Sequence, residues 1–212
     1  MNGADFTALI PTRWPYAPTG TKILTVPPST FAGAWGGRWD FDSLTAYINN
    51  SLPIPVQFGI VAHELAHGRW SMPLPDLPDE EGSTALVVHL FDELRVERWA
   101  IAHTDTVRGD IRGYLADSFK GGSITVRNAR GAALLYGTFI GHVLTGALDH
   151  DEIAPTIAAF HREYGNAWCD LFENHLGEAF DAPPGATGTL VAIARRWDWD
   201  AVHPPLHLII PK

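Results

Sequence analysis

The length, charge and cysteine content of the chain exclude several classes of protein. Its 212 residues and 46% apolar content suit a single globular domain with a sizeable core, and the formal net charge of -9 argues against sequence-independent nucleic-acid binding, which needs a basic surface. Because Cys169 is the only cysteine, no intramolecular disulfide can form, which fits a reducing cytoplasm.

The N-terminal quarter of the chain is predicted to consist of strands and turns. Residues 21–26 form a β-rich run that a pair of prolines closes. Residues 31–41 mix aromatic side chains with glycines, which indicates a twisted strand or a hairpin, and residues 43–50 fit a strand or a short helix equally well. We therefore expect a small strand-rich part over residues 1–54.

Helical patterns dominate the rest of the chain. Pro53 and Pro55 mark the start of an apolar helix that continues to Trp70. The segments expected after it are an acidic, proline-rich exposed loop at 72–82, a helix from a cap at Ser83 or Thr84 to about residue 102, a short helix or irregular segment at 107–119, a turn at 120–122, helices at 128–148, 153–164, 166–176 and 187–197, and a short strand or extended arm at 206–210. The expected fold class is α+β, in one domain over residues 1–212 with a mainly helical part at 55–212.

One uncharged stretch, residues 131–148, needs to be weighed as a membrane span. It contains several glycines and polar residues, and its length is marginal for crossing a bilayer. A buried central helix, whose small residues let a neighbouring helix approach closely, is the better interpretation. Residues 1–10 also lack the basic and apolar regions of a secretory signal. We therefore expect a cytoplasmic protein without a membrane partner.

The motif that carries most chemical information is His63-Glu64-Leu65-Ala66-His67, which has the H-E-x-x-H pattern. Positions four apart lie on one face of a helix, so both imidazoles could reach one metal ion. Glu64 could then take a proton from a water molecule at that ion. The alternative is a helix with two unrelated histidines, but buried His and Glu side chains in an apolar helix need partners. The pattern therefore predicts a zinc site with one Zn²⁺ ion.

A third ligand is expected from the next predicted helix. The three-histidine form of the motif is excluded, because Trp70 and Pro73 occupy the positions where it needs Gly and His. The apolar stripe of the next helix passes through Leu86, Leu90, Glu93, Glu97 and Ile101 at helical spacing, so both glutamates are expected to face the core. Asp92 lies on a mixed, half-exposed face. An acid in an apolar stripe needs a partner, and a metal ion with its histidines would provide one.

These residues resemble the gluzincin, or thermolysin-like, class of zinc peptidases, in which H-E-x-x-H on one helix is joined by a glutamate from the following helix. The segment from Asp92 to Glu97 is also similar to the E-D-x-R-I-E string of metallopeptidase-like proteins associated with von Willebrand-type and cobalt-chelatase-like proteins. The resemblance covers residues 56–102. It implies a zincin-like fold with the metal site between two adjacent helices, Glu93 as third ligand and Glu97 as an acid that orients His63 or His67. The order Asp-Glu here, instead of Glu-Asp, keeps Asp92 and Glu97 open as alternative ligands.

The resemblance implies a zinc-dependent peptidase that acts on a peptide or protein substrate, with Glu64 as general base. A second donor to the oxyanion is normally needed, and Tyr136 and His142 are candidates, followed by His89, His161 and Tyr164. One alternative is a non-proteolytic metal-binding scaffold or adaptor that works with a protein partner such as a motor ATPase. Another is a toxin- or phage-type effector that cleaves one specific protein.

Overall fold

The computed structural model describes residues 1–31, 36–71, 77–78, 81–118 and 128–203. Within them the chain is mostly helical, with a three-stranded sheet near the N-terminus, as expected for an α+β protein. The elements follow one another as α1 (Gly3–Arg13), β1 (Lys22–Val26), a 3-10 turn (Pro28–Thr30), β2 (Gly37–Asp40), β3 (Thr45–Asn49), α2 (Ile54–Trp70), α3 (Gly82–His103), α4 (Asp105–Ser118), α5 (Ala129–Leu144), α6 (His150–Tyr164), α7 (Asn166–Asp181) and α8 (Thr187–Val202). The predicted turn at 120–122, the predicted arm at 206–210 and most of the predicted loop at 72–82 lie outside the described residues.

Helix α1 corrects the expectation that residues 1–54 contain only strands and turns. It begins at a capping box, in which the Asn2 side chain accepts a hydrogen bond from the Asp5 N–H and the Asp5 carboxylate accepts one from the Asn2 N–H. Phe6 of this helix is fully buried and packs edge-on against Phe58 of α2. The cap and the buried aromatic contact explain why this segment is helical.

The sheet has the strand order β1-β3-β2, so β3 is the central strand. It pairs in parallel with β1 and antiparallel with β2. Residues 21–26 are confirmed as a strand except for Thr21, and the undecided segment at 43–50 is the central strand. Only Gly37–Asp40 of the predicted strand or hairpin at 31–41 is assigned to a strand, and residues 32–35 lie outside the described part of the chain.

The chain divides into two compact units, which are described separately. Unit 1 comprises Met1–Pro73 and Val96–Gly122, and unit 2 comprises Leu74–Arg95 and Ser123–Lys212. The boundary falls inside α3, which is one continuous helix across it. The expectation of a single domain over residues 1–212 stays a prediction.

Unit 1 is organised around α2, which packs closely on α4 and on the sheet. At the crossing with α4, Gly59 lies directly against the backbone of Asp110 and the Cβ atom of Tyr114. Asp110 also pairs with Arg13 of α1, whose guanidinium lies over the ring of Phe58. Near the end of α2, the indole of Trp39 from β2 fills the space beside Gly68. These contacts fix α2 from both sides.

Unit 2 has an aromatic core among its helices. The indole of Trp197 on α8 lies against Gly137 of α5 and contacts Phe91 of α3 and Phe172 of α7. Leu94 of α3 lies directly against Gly141 of α5. The predicted close approach to the glycines of α5 is therefore confirmed. Among the described helices, none combines the length and the apolarity that crossing a membrane requires.

Several helix boundaries of unit 2 differ from the predicted ones by a few residues: α5 ends at Leu144, before the predicted residue 148, and α6 begins at His150, before the predicted residue 153. Helix α7 extends to Asp181 and α8 to Val202, each several residues beyond the predicted end. Helix α3 begins at Gly82, so Ser83 and Thr84 lie inside its first turn and the predicted cap is not formed at either residue.

Candidate metal centre

Helix α2 presents His63 and His67 on the same face, one turn apart. The helix begins after Pro53 and continues for 17 residues to Trp70. Its apolar residues Val61, Ala62, Leu65 and Ala66 are fully buried, and further buried residues lie all around the helix. His63 and His67 are each partly exposed.

The imidazoles of His63 and His67 meet through their Nε2 atoms, which are 3.0 Å apart. Their rings are nearly perpendicular, with centroids 4.7 Å apart. Two nitrogen ligands of a tetrahedral zinc ion lie about 3.3 Å from each other, given Zn–N bonds of about 2.0–2.1 Å. Two nitrogen lone pairs this close repel each other unless a proton or a cation lies between them. The two histidines are therefore close enough to share a proton or to bind one cation.

Glu93 of α3 completes a three-residue group with these histidines. One ligand atom from each of His63, His67 and Glu93 lies within 4.8 Å of the other two. This spread is somewhat wider than the spacing of about 3.3 Å around a bound zinc ion, so the glutamate side chain would have to rotate slightly to bind one. Among the described residues, this is the combination of His, Cys, Asp and Glu side chains whose spacing could hold a metal ion.

The burial of α3 differs from the predicted stripe. Leu86 is exposed, with 57% of its surface accessible, and the Glu93 side chain is one-third exposed. Asp92 and Glu97, in contrast, are buried. The predicted half-exposed position of Asp92 and buried position of Leu86 are therefore wrong, because the buried face of α3 runs through its neighbours Val87, Val88, Phe91 and Leu94.

Asp92 is an acid with an electrostatic partner on its own helix. Its charge acts on Arg95 and favours the protonated guanidinium, although burial outweighs this and lowers the pKa of Arg95. The Arg95 guanidinium also donates hydrogen bonds to the carbonyl oxygens of Ala182 and Pro183. Neither Asp92 nor Glu97 belongs to the group formed by Glu93 and the two histidines. This arrangement supports Glu93 over Asp92 as the third ligand.

Glu64 is buried and its carboxylate lies beside strand β2. A Cβ atom on Gly37 would overlap Ile60 Cγ2 and would lie 2.8 Å from Glu64 Oε1 and 3.0 Å from Glu64 Cγ, which is closer than such atoms normally approach. Glycine at this position therefore makes the room that the Ile60 and Glu64 side chains occupy. The sequence shows Gly37 in a glycine-rich strand but carries no signal for its contact with α2.

Ser71 is a neighbour of His67 that the sequence analysis also missed. Its Oγ atom lies 2.9 Å from His67 Nδ1, and its backbone N–H donates to the His67 carbonyl oxygen at 3.0 Å. The orienting role at the far nitrogen of His63 or His67 was predicted for Glu97. At His67 that nitrogen has Ser71 beside it, so an orienting role of Glu97 would concern His63.

Tyr16, which follows α1, forms a hydrogen bond to α2. Its hydroxyl donates a 2.8 Å hydrogen bond to the carbonyl oxygen of Ala62, the residue before His63. Burial, with a smaller effect of Asp110, raises the pKa of the Tyr16 phenol well above its ordinary value. Its ring packs edge-on against Trp99 of α3, which stacks on Trp70. The tyrosine therefore stays protonated and keeps its hydrogen bond across the working pH range.

The residues predicted as oxyanion donors occupy varied environments. The Tyr136 hydroxyl donates to the carboxylate of Glu173, and burial together with this bond raises the pKa of the phenol. His142 lies in the last turn of α5, and His89 Nδ1 is 3.6 Å from Glu93 Oε1. His161 Nδ1 lies 2.9 Å from Asn166 Oδ1, and Tyr164 stacks on Trp168. An oxyanion role for any of them stays a prediction.

The chain was compared with protein-family models, curated proteins and solved structures. No protein-family model, no curated protein and no solved structure matches the chain.

Proposed function

We propose that the protein is a zinc-dependent peptidase of the gluzincin type, with a zincin-like arrangement in which α2 and α3 carry the ligands. The observation that carries this proposal is the convergence of three ligand atoms, from His63, His67 and Glu93, within 4.8 Å of one another. Two imidazole nitrogens and one carboxylate oxygen are the donor set that catalytic zinc sites use, and a fourth position is then left for water or substrate.

Zinc, when bound, would supply a water molecule with a pKa lowered toward about 7 and would polarise the substrate carbonyl. The remaining steps belong to side chains of this chain. His63 and His67 must be neutral and must offer their Nε2 lone pairs, so each carries its proton on Nδ1. Their 3.0 Å spacing means that little rearrangement of α2 is required to bind a cation.

Glu64 is the proposed general base. It follows the first histidine in the helix, and its carboxylate occupies the buried space beside Gly37. In this role Glu64 accepts a proton from the attacking water and delivers it to the leaving nitrogen, which is the proton transfer that peptide hydrolysis requires. Its partial enclosure by β2 restricts the carboxylate to few rotamers, which favours a defined position relative to the two histidines.

Strand β2 supports an extended peptide as the substrate. The Asn49 N–H donates to the Gly36 carbonyl oxygen at 2.8 Å, so residues 36, 38 and 40 direct their backbone groups toward β3. Gly37 and Trp39 therefore direct theirs to the opposite edge, and within the described part of the chain no strand pairs there. An extended peptide would pair along this edge of the strand whose Gly37 lies against Glu64.

The metal site is tested by measuring zinc bound to the purified protein and its variants. We expect about one zinc ion per wild-type chain, strong loss in His63→Ala and His67→Ala, and weakened binding in Glu93→Ala. His150→Ala, which removes an exposed histidine at the start of α6, is the matched control and should bind zinc like the wild type. Full zinc occupancy in His67→Ala would refute the site.

Catalysis is tested separately with Glu64→Gln on a denatured protein substrate and a quenched-fluorescence peptide library. This variant should keep its zinc and lose hydrolysis by a factor of about 100 or more. Glu163→Gln, which changes an exposed glutamate on α6, should retain full activity. Equal rates for wild type and Glu64→Gln would remove the peptidase mechanism. Stoichiometric zinc without any hydrolysis would instead favour the non-proteolytic scaffold.

A further inference from the structure

The residue that caps the end of α2 lies beside His67. Ser71 follows the last residue of the helix and adopts an extended backbone conformation, with φ of -79° and ψ of 160°. Its N–H closes the final helical hydrogen bond onto the His67 carbonyl oxygen. This conformation turns the Ser71 side chain back over the last turn, where its Oγ atom reaches 2.9 Å from His67 Nδ1.

We propose that Ser71 is a positioning residue that holds His67 in the tautomer and ring orientation needed to bind zinc. The inference rests on the proposed metal site and deepens it. A ligand histidine that binds through Nε2 carries its proton on Nδ1, and a partner that accepts this proton fixes both the tautomer and the ring plane. The Ser71 hydroxyl oxygen is placed to accept it.

The position of Nε2 follows from the same contact. With Nδ1 held by Ser71, rotation of the His67 ring about its Cβ–Cγ bond is restricted, and Nε2 stays directed toward His63 Nε2 at 3.0 Å. A neutral hydroxyl is a weaker acceptor than a carboxylate, so it orients His67 without adding negative charge near the metal.

The test compares two variants of nearly equal size and shape, Ser71→Thr and Ser71→Val, which differ in the hydroxyl. Zinc dissociation constants are measured by competition with a chromophoric chelator. We expect Ser71→Thr to bind zinc within about twofold of wild type and Ser71→Val to bind it about 10- to 100-fold more weakly, the usual range for losing such a partner. The absorption spectrum of the cobalt-substituted protein should shift in Ser71→Val and be restored in Ser71→Thr.

Ser51→Ala is the matched control, because it removes another serine hydroxyl of unit 1 that bonds to a neighbouring side chain, Asn49 Oδ1 at 2.7 Å. It should leave zinc affinity and the cobalt spectrum unchanged. Equal zinc affinity in Ser71→Thr, Ser71→Val and wild type would overturn the role of Ser71 while leaving the metal site intact. Failure of the wild type itself to bind zinc would overturn both proposals. If Ser71→Val does not fold, unchanged affinity in Ser71→Ala gives the same refutation and a 10-fold loss gives the same support.

Discussion

The crossing of α2 and α4 at Gly59 allows a quantitative test of how the metal-site helix is held. A Cβ atom on Gly59 would overlap the backbone carbonyl oxygen of Asp110 and would lie 2.7 Å from the Cβ atom of Tyr114. Backbone and Cβ atoms cannot rotate away, so α2 and α4 would have to separate. Overpacking of this kind costs typically about 1–3 kcal/mol, and alanine regains about 1 kcal/mol through its helix propensity. We expect Gly59→Ala to lower the free energy of unfolding by up to about 2 kcal/mol.

Urea unfolding followed by circular dichroism measures this change, and Gly109→Ala is its matched control. Gly109 lies on α4, and a Cβ atom there would meet nothing within 4 Å. Helix propensity alone then applies, so the control should stabilise the protein by up to about 1 kcal/mol. The two variants should therefore shift the urea midpoint in opposite directions at an unchanged slope. A stabilised Gly59→Ala protein would contradict the close helix crossing.

Three further predictions address the site and the core. Gly37→Ala should keep zinc bound but lower peptide hydrolysis by about 10- to 100-fold, because the new Cβ displaces the Glu64 carboxylate; unchanged turnover would disprove the contact. Zinc at about 1,000 times its dissociation constant should add about 4 kcal/mol to the free energy of unfolding, and His67→Ala should abolish this gain in thermal melts. Burial raises the pKa of the Cys169 thiol to about 11, so the folded state favours the protonated thiol. This preference contributes stability in full below pH 9, and the contribution is lost as the pH rises toward 11. Iodoacetamide should label Cys169 at pH 8 much more slowly in native than in urea-unfolded protein, and equal labelling rates would contradict its burial.

The helix that carries the H-E-x-x-H pattern was predictable because two independent regularities agree there. Helical spacing brings His63 and His67 to one face, and the apolar run around them indicates a buried helix. Proline at the start of the segment also marks where the helix begins. The observed α2, Ile54–Trp70, matches this expectation within one or two residues. These signals were sufficient although buried residues lie on all sides of α2, so that no single apolar stripe marks its buried face.

Helix α3 shows where such periodicity fails. Its buried residues include Asp92, Arg95 and Glu97, which cover more than one stripe of the helix surface. A stripe drawn through leucines alone therefore placed Leu86 in the core and Asp92 near solvent, and both are wrong. The sequence does not show that Arg95 reaches the carbonyl oxygens of residues 182 and 183, which are nearly 90 positions away. Such distant partners decide which polar side chains can be buried.

The N-terminal helix and the contacts around the histidines were not predicted from the sequence, for two different reasons. Helix α1 had a local signal, since the capping pair Asn2 and Asp5 has the required spacing, but no apolar stripe of useful length follows it. Ser71 and Gly37 act through positions in space, one at a helix end and one on a neighbouring strand. Motif spacing indicates candidate ligands, whereas the side chains that lie beside them in the folded chain are not visible in the motif.

The partial exposure of Glu93 changes the physical reason for expecting it to bind a metal. A fully buried carboxylate would need the cation to offset its desolvation, so the fold itself would depend on zinc. The Glu93 side chain is one-third exposed and has His89 within 3.6 Å, so its charge is partly solvated without a metal ion. Asp92 has Arg95 for the same purpose. A bound metal would therefore serve the proposed chemistry and would add to stability by binding the native state, while the packing of α2 against α4 and the sheet holds the histidines in place.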